Sequence, residues 1–391
     1  MVRDSMDADI VVIGGSPAGL MAARNAALKG TNVILIDRKE SIGNPPHPAN
    51  TLFKGMFDRT GETVDQCYVI KKLKGARIVA PSGGEVFIES PAYFLNRKKF
   101  DKYYAKQVLK AGVDVRTGIE AFNVIRNEEI FSISTNEGTL RSKLVIISDG
   151  INSRIAGLMG MKPIKYPGDI AWSMEAEVEA SGLGEADMFE YYVGSHAPGW
   201  KTTYSPCGGD RATLGVYVRR HGKDVSSFFD AWVERFKKIK GLNELSFISK
   251  SVGGDPIAAI PNEIIGEGVM ITGGSAAQSG IGYGMHAGQI CGDVAADAIA
   301  KGNVSAAFLS EYRKRWNHKY RNEYYLGRIA LETLRKMTDK EIDSMMKLFE
   351  DEDLSFIQGD PVIKAIHIAK FIIKKKPSSL LLAYRAALRR K

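Results

Sequence analysis

The feature that most constrains this chain is an apolar run ending in a glycine turn, Asp9-Ile-Val-Val-Ile-Gly-Gly-Ser-Pro-Ala-Gly19. A second apolar run follows and ends in an acid, Asn32-Val-Ile-Leu-Ile-Asp37. A β-branched stretch as short as Ile10 to Ile13 suits a buried parallel strand. Gly14 turns the chain out of it, and Gly19 lets the next helix pack close to the strand. The Ala-rich segment from Pro17 to Leu28 predicts that helix, with Gly30 as its C-terminal stop. Its first turn, which holds Ala18, offers free N–H groups and a positive dipole end to a pyrophosphate. Asp37 follows Gly19 by 18 residues, where a carboxylate accepts from ribose hydroxyls, and Arg38 stands beside it. The pattern predicts a dinucleotide site. Ser16 takes the place of the middle glycine that lets the backbone approach the pyrophosphate; serine is small, and its hydroxyl can itself donate to phosphate.

Two later segments favour FAD over NAD. Lys143-Leu-Val-Ile-Ile-Ser-Asp-Gly-Ile-Asn-Ser-Arg154 reads as another buried strand, ending in Asp149-Gly150. Gly268 to Gly288 reads as a strand, a glycine-rich turn holding Gly274, Gly280, Gly282, Gly284 and Met285, and a helix to about Ala300. A helix N-terminus placed there stabilises negative charge on a reduced flavin.

This order of segments resembles the FAD-dependent oxidoreductases that share a fold with aromatic hydroxylases, and within them the geranylgeranyl reductase family. The resemblance covers about residues 8–345. It is carried by Gly14, Gly19 and Asp37, by Gly43-Asn-Pro45, by Leu95-x-Arg97-x-x-Phe100-Asp101 and by Asp149-Gly150-x-x-Ser153. Tyr192-x-Gly194-Ser195-x-Ala197-Pro198 and Gly280 to Gly284 complete it. It implies an FAD-dependent reductase of carbon–carbon double bonds in an isoprenoid or other hydrophobic substrate. It also implies a place for Arg97 near the FAD phosphates or ribityl chain, where a fixed fork suits a pyrophosphate. The other reading of Arg97 is a solvated charge at a helix start, among Lys98, Lys99 and Lys102.

The chain departs from the family at three places. Gly273-Gly274 stands where the family has Gly-Asp, which removes one charge-assisted contact to the ribityl chain, on the order of 1.5–3 kcal/mol. In Pro45-Pro-His-Pro-Ala-Asn50 the family's cysteine and Gly-Glu are replaced by Pro48, Ala49 and Asn50, and His47 is the acid–base group left. In Trp200-Lys-Thr-Thr-Tyr-Ser-Pro206 three alternating aromatics become Lys201, Thr203 and Ser205, so one strand face turns polar. Alkene reduction needs a hydride and a proton, and His47 and His196 are the candidate proton sources. His286 reads equally as a buried, hydrogen-bonded histidine.

The expected fold class is α/β: a Rossmann-type FAD-binding domain with an antiparallel-sheet substrate domain and a helical C-terminal region. The FAD domain is expected to be discontinuous, 1–155 plus 255–302, with the substrate domain at 156–254 and the helical region at 303–391. Three dispersed cysteines, Cys67, Cys207 and Cys291, without Cys-x-x-Cys argue for a reducing cytoplasm and against a metal site or dithiol centre. The net charge of +9 matches the nine basic residues of 361–391, a stretch with no acid. With Val362, Ile363, Ile366, Ile368, Phe371, Ile372 and Ile373, that stretch reads as basic amphipathic helices suited to an anionic membrane surface. Few aromatics are there to stack bases, so nucleic acid is not the expected partner. No second dinucleotide fingerprint occurs, so the electron donor is external, NAD(P)H or ferredoxin-type. The expected location is cytoplasmic, with peripheral contact at the inner face of the cell membrane. The competing functions are an FAD monooxygenase of an aromatic or quinone compound, and a divergent flavoprotein with reduced or no catalysis.

Overall fold

The computed structural model describes residues 6–350 and, beyond them, 352, 354, 367, 368, 370, 371, 374 and 375. The basic stretch 361–391 expected to lie on a membrane therefore falls almost wholly outside the described residues.

Two eight-stranded sheets form the body. The first contains β1 (Ala8–Ile13), β2 (Val33–Asp37), β6 (Asp114–Thr117), β7 (Ala121–Asn127), β8 (Ile130–Thr135), β9 (Gly138–Ile147), β15 (Ile265–Gly266) and β16 (Val269–Ile271). Its main path runs β15-β16-β9-β1-β2-β6, with β7 and β8 attached to β9. Strand β1 pairs in parallel with both β2 and β9, and Ile10, Val11 and Val12 have no exposed surface. Burial on both faces is why these strands are continuous runs of Val and Ile rather than alternating ones. The crevice at the carboxyl end of β1 lies between neighbours reached in opposite directions, the position at which open α/β sheets bind ligands.

Helices α1 (Pro17–Leu28) and α6 (Ile281–Ala300) cross in close contact beside β1. Small residues permit it: a Cβ at Gly288 would stand 2.1 Å from Ala18 O, and one at Gly292 would stand 2.2 Å from Ala22 O. Helix α3 (Arg97–Lys110) also packs on α1. Two short helices, α2 (Lys54–Asp58) and α4 (Arg154–Leu158), flank the crevice loops.

The second sheet contains β3 (Thr51–Phe53), β4 (Val69–Val79), β5 (Glu85–Leu95), β10 (Ala171–Glu179), β11 (Met188–Tyr192), β12 (Lys201–Gly208), β13 (Arg211–Arg219) and β14 (Ser246–Asp255). Its order is β14-β10-β13-β12-β11-β4-β5-β3. The block 1–155 drawn from the sequence thus contributes β3, β4 and β5 to the sheet expected from 156–254 alone. The joint is one parallel pairing, Met188↔Gly75 through Tyr192↔Val79, between segments distant in the chain. No local signal announces such a pairing.

Alternation along these strands gives the sheet two different faces. Tyr192, Tyr204, Leu214, Val216 and Val218 pack beneath α5 (Ser226–Lys240), through its Phe229, Trp232 and Phe236. The opposite face looks toward the first sheet's loops. Helix α7 (Ala306–Lys336) closes the body, burying Tyr312, Trp316, Tyr320 and Tyr324, one per turn. Helix α8 (Asp339–Met346) starts with a capping box in which Thr338 Oγ1 accepts from Glu341 N at 3.3 Å and the Glu341 carboxylate accepts from Thr338 N at 2.9 Å.

Candidate functional site

The turn after β1 is shaped by backbone approach. Gly14 has φ +108°, and a Cβ there would lie 2.3 Å from Ser148 O; one at Gly19 would lie 2.0 Å from Gly14 O. Neither position accepts a side chain. Ser16 does, because its backbone is extended (φ −69°) and its hydroxyl turns back into the protein. Ser16 Oγ accepts from Gly19 N at 3.2 Å as the N-cap of α1, and it meets Ser148 Oγ at 2.5 Å. The hydroxyl expected to face a phosphate is engaged in capping instead. Asp37 closes the cradle: its Oδ2 accepts from Gly15 N at 2.5 Å and its Oδ1 from Lys39 N at 2.8 Å. Arg38, next to it, is exposed.

The start of α6 sits beside the start of α1. A Cβ at Gly284 would be 3.7 Å from the Ala18 Cβ, and one at Gly273 would be 2.7 Å from it. Gly280, the N-cap of α6, has φ +92°; Gly282 lies against Met56, and Met285 is fully buried. The turn before the helix is held by a buried network that sequence reasoning missed. Gln278 Oε1 accepts from Gly273 N at 2.9 Å, and Gln278 Nε2 donates to Tyr312 Oη at 2.8 Å. Asp149 accepts from Ile155 N at 3.0 Å and from Ser275 Oγ at 2.9 Å, while Gly150 N donates to Ser275 Oγ at 2.9 Å. Ser275 therefore ties the Asp149-Gly150 turn to the 273–280 turn. Gly274, where a carboxylate was missed, is left open: a Cβ there would meet nothing nearer than Ile151 N at 3.7 Å.

Arg97 is buried, not a solvated helix-start charge. It donates to both Asp101 oxygens, at 3.1 and 3.3 Å, and to Ala49 O, and its Nε is buried without a partner. It anchors the 45–50 loop to α3. His47 lies in that loop with its side chain exposed. Its Nδ1 accepts from Ala49 N at 3.1 Å. The surrounding loop, then Arg97 and Lys39, lower its pKa, so the ring is neutral near pH 7.

The structure separates the histidines. His196 stacks on Trp232 of α5, centroids 6.3 Å apart, on the face of the second sheet turned away from the 45–50 loop. Ser195 next to it is held by Asp339 of α8. His286 Nδ1 meets Tyr320 Oη at 2.5 Å between α6 and α7, the core reading of that residue.

The loop-facing side of the second sheet carries the polar residues expected there. Lys201, Thr203 and Ser205 pair across to Tyr217, Gly215 and Thr213 of β13, and Ser173 and Glu175 of β10 continue the rows. Two hydrogen bonds join this face to the crevice loops, Asn50 Nδ2 to Thr213 Oγ1 at 3.4 Å and Ser279 Oγ to Asp255. Farther along, Leu73, Ala92, Phe94, Phe189 and Phe53 make the same face apolar.

The residues fit FAD. Two adjacent helix N-termini, a glycine turn that side chains would fill, an acid after β2 and a buried guanidinium with an unpaired N–H are the parts an extended, anionic dinucleotide requires. Asn50 and Ser279 bring that site against the polar sheet face through Thr213 and Asp255.

Residues 11–166 match the pyridine nucleotide-disulphide oxidoreductase family. The chain is 30% identical, over 95% of its length and 96% of the relative's, to the digeranylgeranylglycerophospholipid reductase of Methanocaldococcus jannaschii. It is 29% identical, over 96% of its length and 97% of the relative's, to digeranylgeranylglycerophospholipid reductase 1 of Methanothermobacter thermautotrophicus. Among solved structures, a geranylgeranyl bacteriochlorophyll reductase-like protein of Thermoplasma acidophilum superposes with a TM-score of 0.85 at 25% identity, covering 97% of this chain and 99% of that one.

Proposed function

Because the chain belongs to the family of the digeranylgeranylglycerophospholipid reductases, we propose that it saturates carbon–carbon double bonds of an isoprenoid lipid at an FAD site in the crevice above β1. It is an FAD-dependent oxidoreductase. The cofactor, when reduced, supplies hydride; the chain binds it, orients it and provides the proton. Gly14, Ala18 and Gly19 with the backbone of Ser16 hold the pyrophosphate end, with Asp37 and Arg38 at the ribose. Arg97, Asp149, Gly150, Gly274 and the turn Gly280, Gly282, Gly284 and Met285 surround the flavin half.

The observation that carries this reading is the joint between crevice and sheet. Asn50 bonds Thr213 and Ser279 bonds Asp255, so the sheet face closes directly over the loops that border a flavin.

The polar part of the face favours a second reading of the substrate, an aromatic or quinone compound attacked in a monooxygenase reaction. Oxygen reactivity separates the two. A reductase's reduced flavin reacts slowly with oxygen and saturates the alkene. A monooxygenase reoxidises rapidly and hydroxylates. NAD(P)H or a ferredoxin-type protein supplies the electrons from outside. No described helix is long and apolar enough to cross a membrane. The basic stretch 361–391 brings the enzyme to anionic lipid, which a flotation assay with and without that stretch tests.

The experiment is anaerobic. Dithionite-reduced holoenzyme is mixed with digeranylgeranylglycerophospholipid in detergent, and the flavin spectrum is followed. Reoxidation by the lipid supports the reading; a flavin that stays reduced contradicts it.

A further inference from the structure

Neither histidine expected to act as the proton source is suited to it: His47 is neutral, and His196 lies across the sheet. One cation does stand on the loop-facing side. Lys201 Nζ lies 3.7 Å from the centroid of the Tyr191 ring, 4.8 Å from that of Trp200 and 5.4 Å from that of Tyr217. Among the described residues it makes no hydrogen bond and no ion pair, so its N–H groups are left for what enters the crevice. Glu175, on the same rows of the sheet, accepts from the Tyr217 hydroxyl.

We propose that Lys201 is the proton donor of the reduction and that Glu175, held by Tyr217, is the neighbouring carboxylate that favours its ammonium form. The proposal rests on the reductase reading above. Hydride from reduced FAD goes to one alkene carbon, and a proton from Lys201 Nζ goes to the other. The π bond breaks, two C–H bonds form, and the two electrons lost by the cofactor are gained by the alkene. Lys201 is left as a neutral amine and takes a proton back from solvent before the next turnover.

The surroundings set the acidities for this task. Burial pushes Lys201 down to about 8, opposed by Asp255 at the end of β14 and then by Glu175 of β10. Burial lifts Glu175 to about 7, opposed by Lys201, with Asp255 adding and Arg97 of α3 opposing. Asp255 is itself raised by burial, while Ser279 lowers it as a donor. Tyr191 is raised by burial and by Asp255, so it faces Lys201 as a neutral ring. Tyr324 of α7, which also feels Asp255, is raised and neutral as well. A general acid works best with a pKa near the working pH, still protonated but willing to give the proton up. Lys201 meets that condition, and a solvent lysine does not.

The sign of the pH effect follows. The donor must be protonated, so the rate falls as pH rises through about 8. Replacing Glu175 by Gln removes a carboxylate that favours the ammonium and moves that limb to lower pH.

The test uses wild-type holoenzyme beside Lys201→Met, Lys201→Arg and Glu175→Gln, each with FAD content measured first. Anaerobic reoxidation of dithionite-reduced enzyme by digeranylgeranylglycerophospholipid is timed from about pH 6 to about pH 10. Competitive acetylation read by mass spectrometry gives the Lys201 titration without substrate. Expected are a wild-type limb near pH 8 that coincides with the Lys201 titration, and a loss on the order of 10²–10⁴-fold in Lys201→Met with that limb gone. Lys201→Arg loses the limb too, since a guanidinium does not release a proton in this range. An active wild type whose Lys201→Met variant keeps its rate and limb overturns the proposal alone. So does a Lys201 that titrates with the solvent lysines. A wild type inert toward the lipid overturns the reductase reading and the proposal with it.

Discussion

Ser16 Oγ lies 2.5 Å from Ser148 Oγ, across the turn that leaves the first strand of the cofactor sheet. This contact explains why a residue other than glycine is tolerated in the fingerprint. The side chain is spent on the helix cap and on the neighbouring strand, not aimed at the pyrophosphate. Ser16→Gly is therefore expected to cost only a few tenths of a kcal/mol at the cap, and Ser16→Ala about 1 kcal/mol, measured by denaturant unfolding. FAD affinity in Ser16→Ala should stay within a few-fold of wild type in a flavin-fluorescence titration. A loss of tenfold or more would show that the hydroxyl contacts phosphate.

Gly274 offers the opposite case, a place where a lost contact can be restored. The nearest atom to a Cβ there is Ile151 N at 3.7 Å, and the backbone is not left-handed. Gly274→Asp is expected to tighten FAD by on the order of 1.5–3 kcal/mol, about ten- to a hundredfold in Kd. Equilibrium titration of apoprotein checks this, and unchanged affinity would mean that the flavin half sits away from this turn.

Where α1 and α6 cross, no such freedom exists. A methyl group at Gly288 would meet Ala18 O, which belongs to the turn that starts α1 and cannot move alone. Gly288→Ala is expected to destabilise the protein by about 1–3 kcal/mol and to release FAD, because the two helix N-termini separate. Thermal unfolding and flavin stoichiometry read both effects in one preparation.

His196 is predicted to be dispensable for chemistry. It stacks on Trp232 beneath the far face of the sheet, and burial followed by Arg235 lowers its pKa to about 4. His196→Phe should keep kcat within about twofold while changing stability by about 1 kcal/mol in either direction. A loss of kcat without loss of stability would return His196 to the reacting centre.

The glycine fingerprint was legible in the sequence because backbone approach leaves no alternative residue at Gly14 and Gly19. The strand and helix limits around it follow from the same apolar periodicity. Alternation along 200–206 also placed Lys201, Thr203 and Ser205 on one face. What those residues meet was not legible. Glu175 and Asp255 come from strands whose register is fixed only when the sheet assembles, and Gln278 finds Tyr312 on a helix distant in the chain. The hydroxyl of Ser16 was read by its chemistry, whereas its direction depended on Ser148 arriving alongside. Arg97 was read as a group for the FAD phosphates or ribityl chain with a solvated helix-start charge as the alternative, and only the fold shows it buried against Asp101 and the 45–50 loop.

The central claim is that this chain reduces carbon–carbon double bonds, and product mass tests it most directly. FAD-loaded protein, reduced without oxygen, is incubated with digeranylgeranylglycerophospholipid, and the extracted lipid is weighed by mass spectrometry. The account predicts product heavier by two hydrogens for each double bond saturated. Lipid recovered unchanged, or heavier by oxygen, would contradict it.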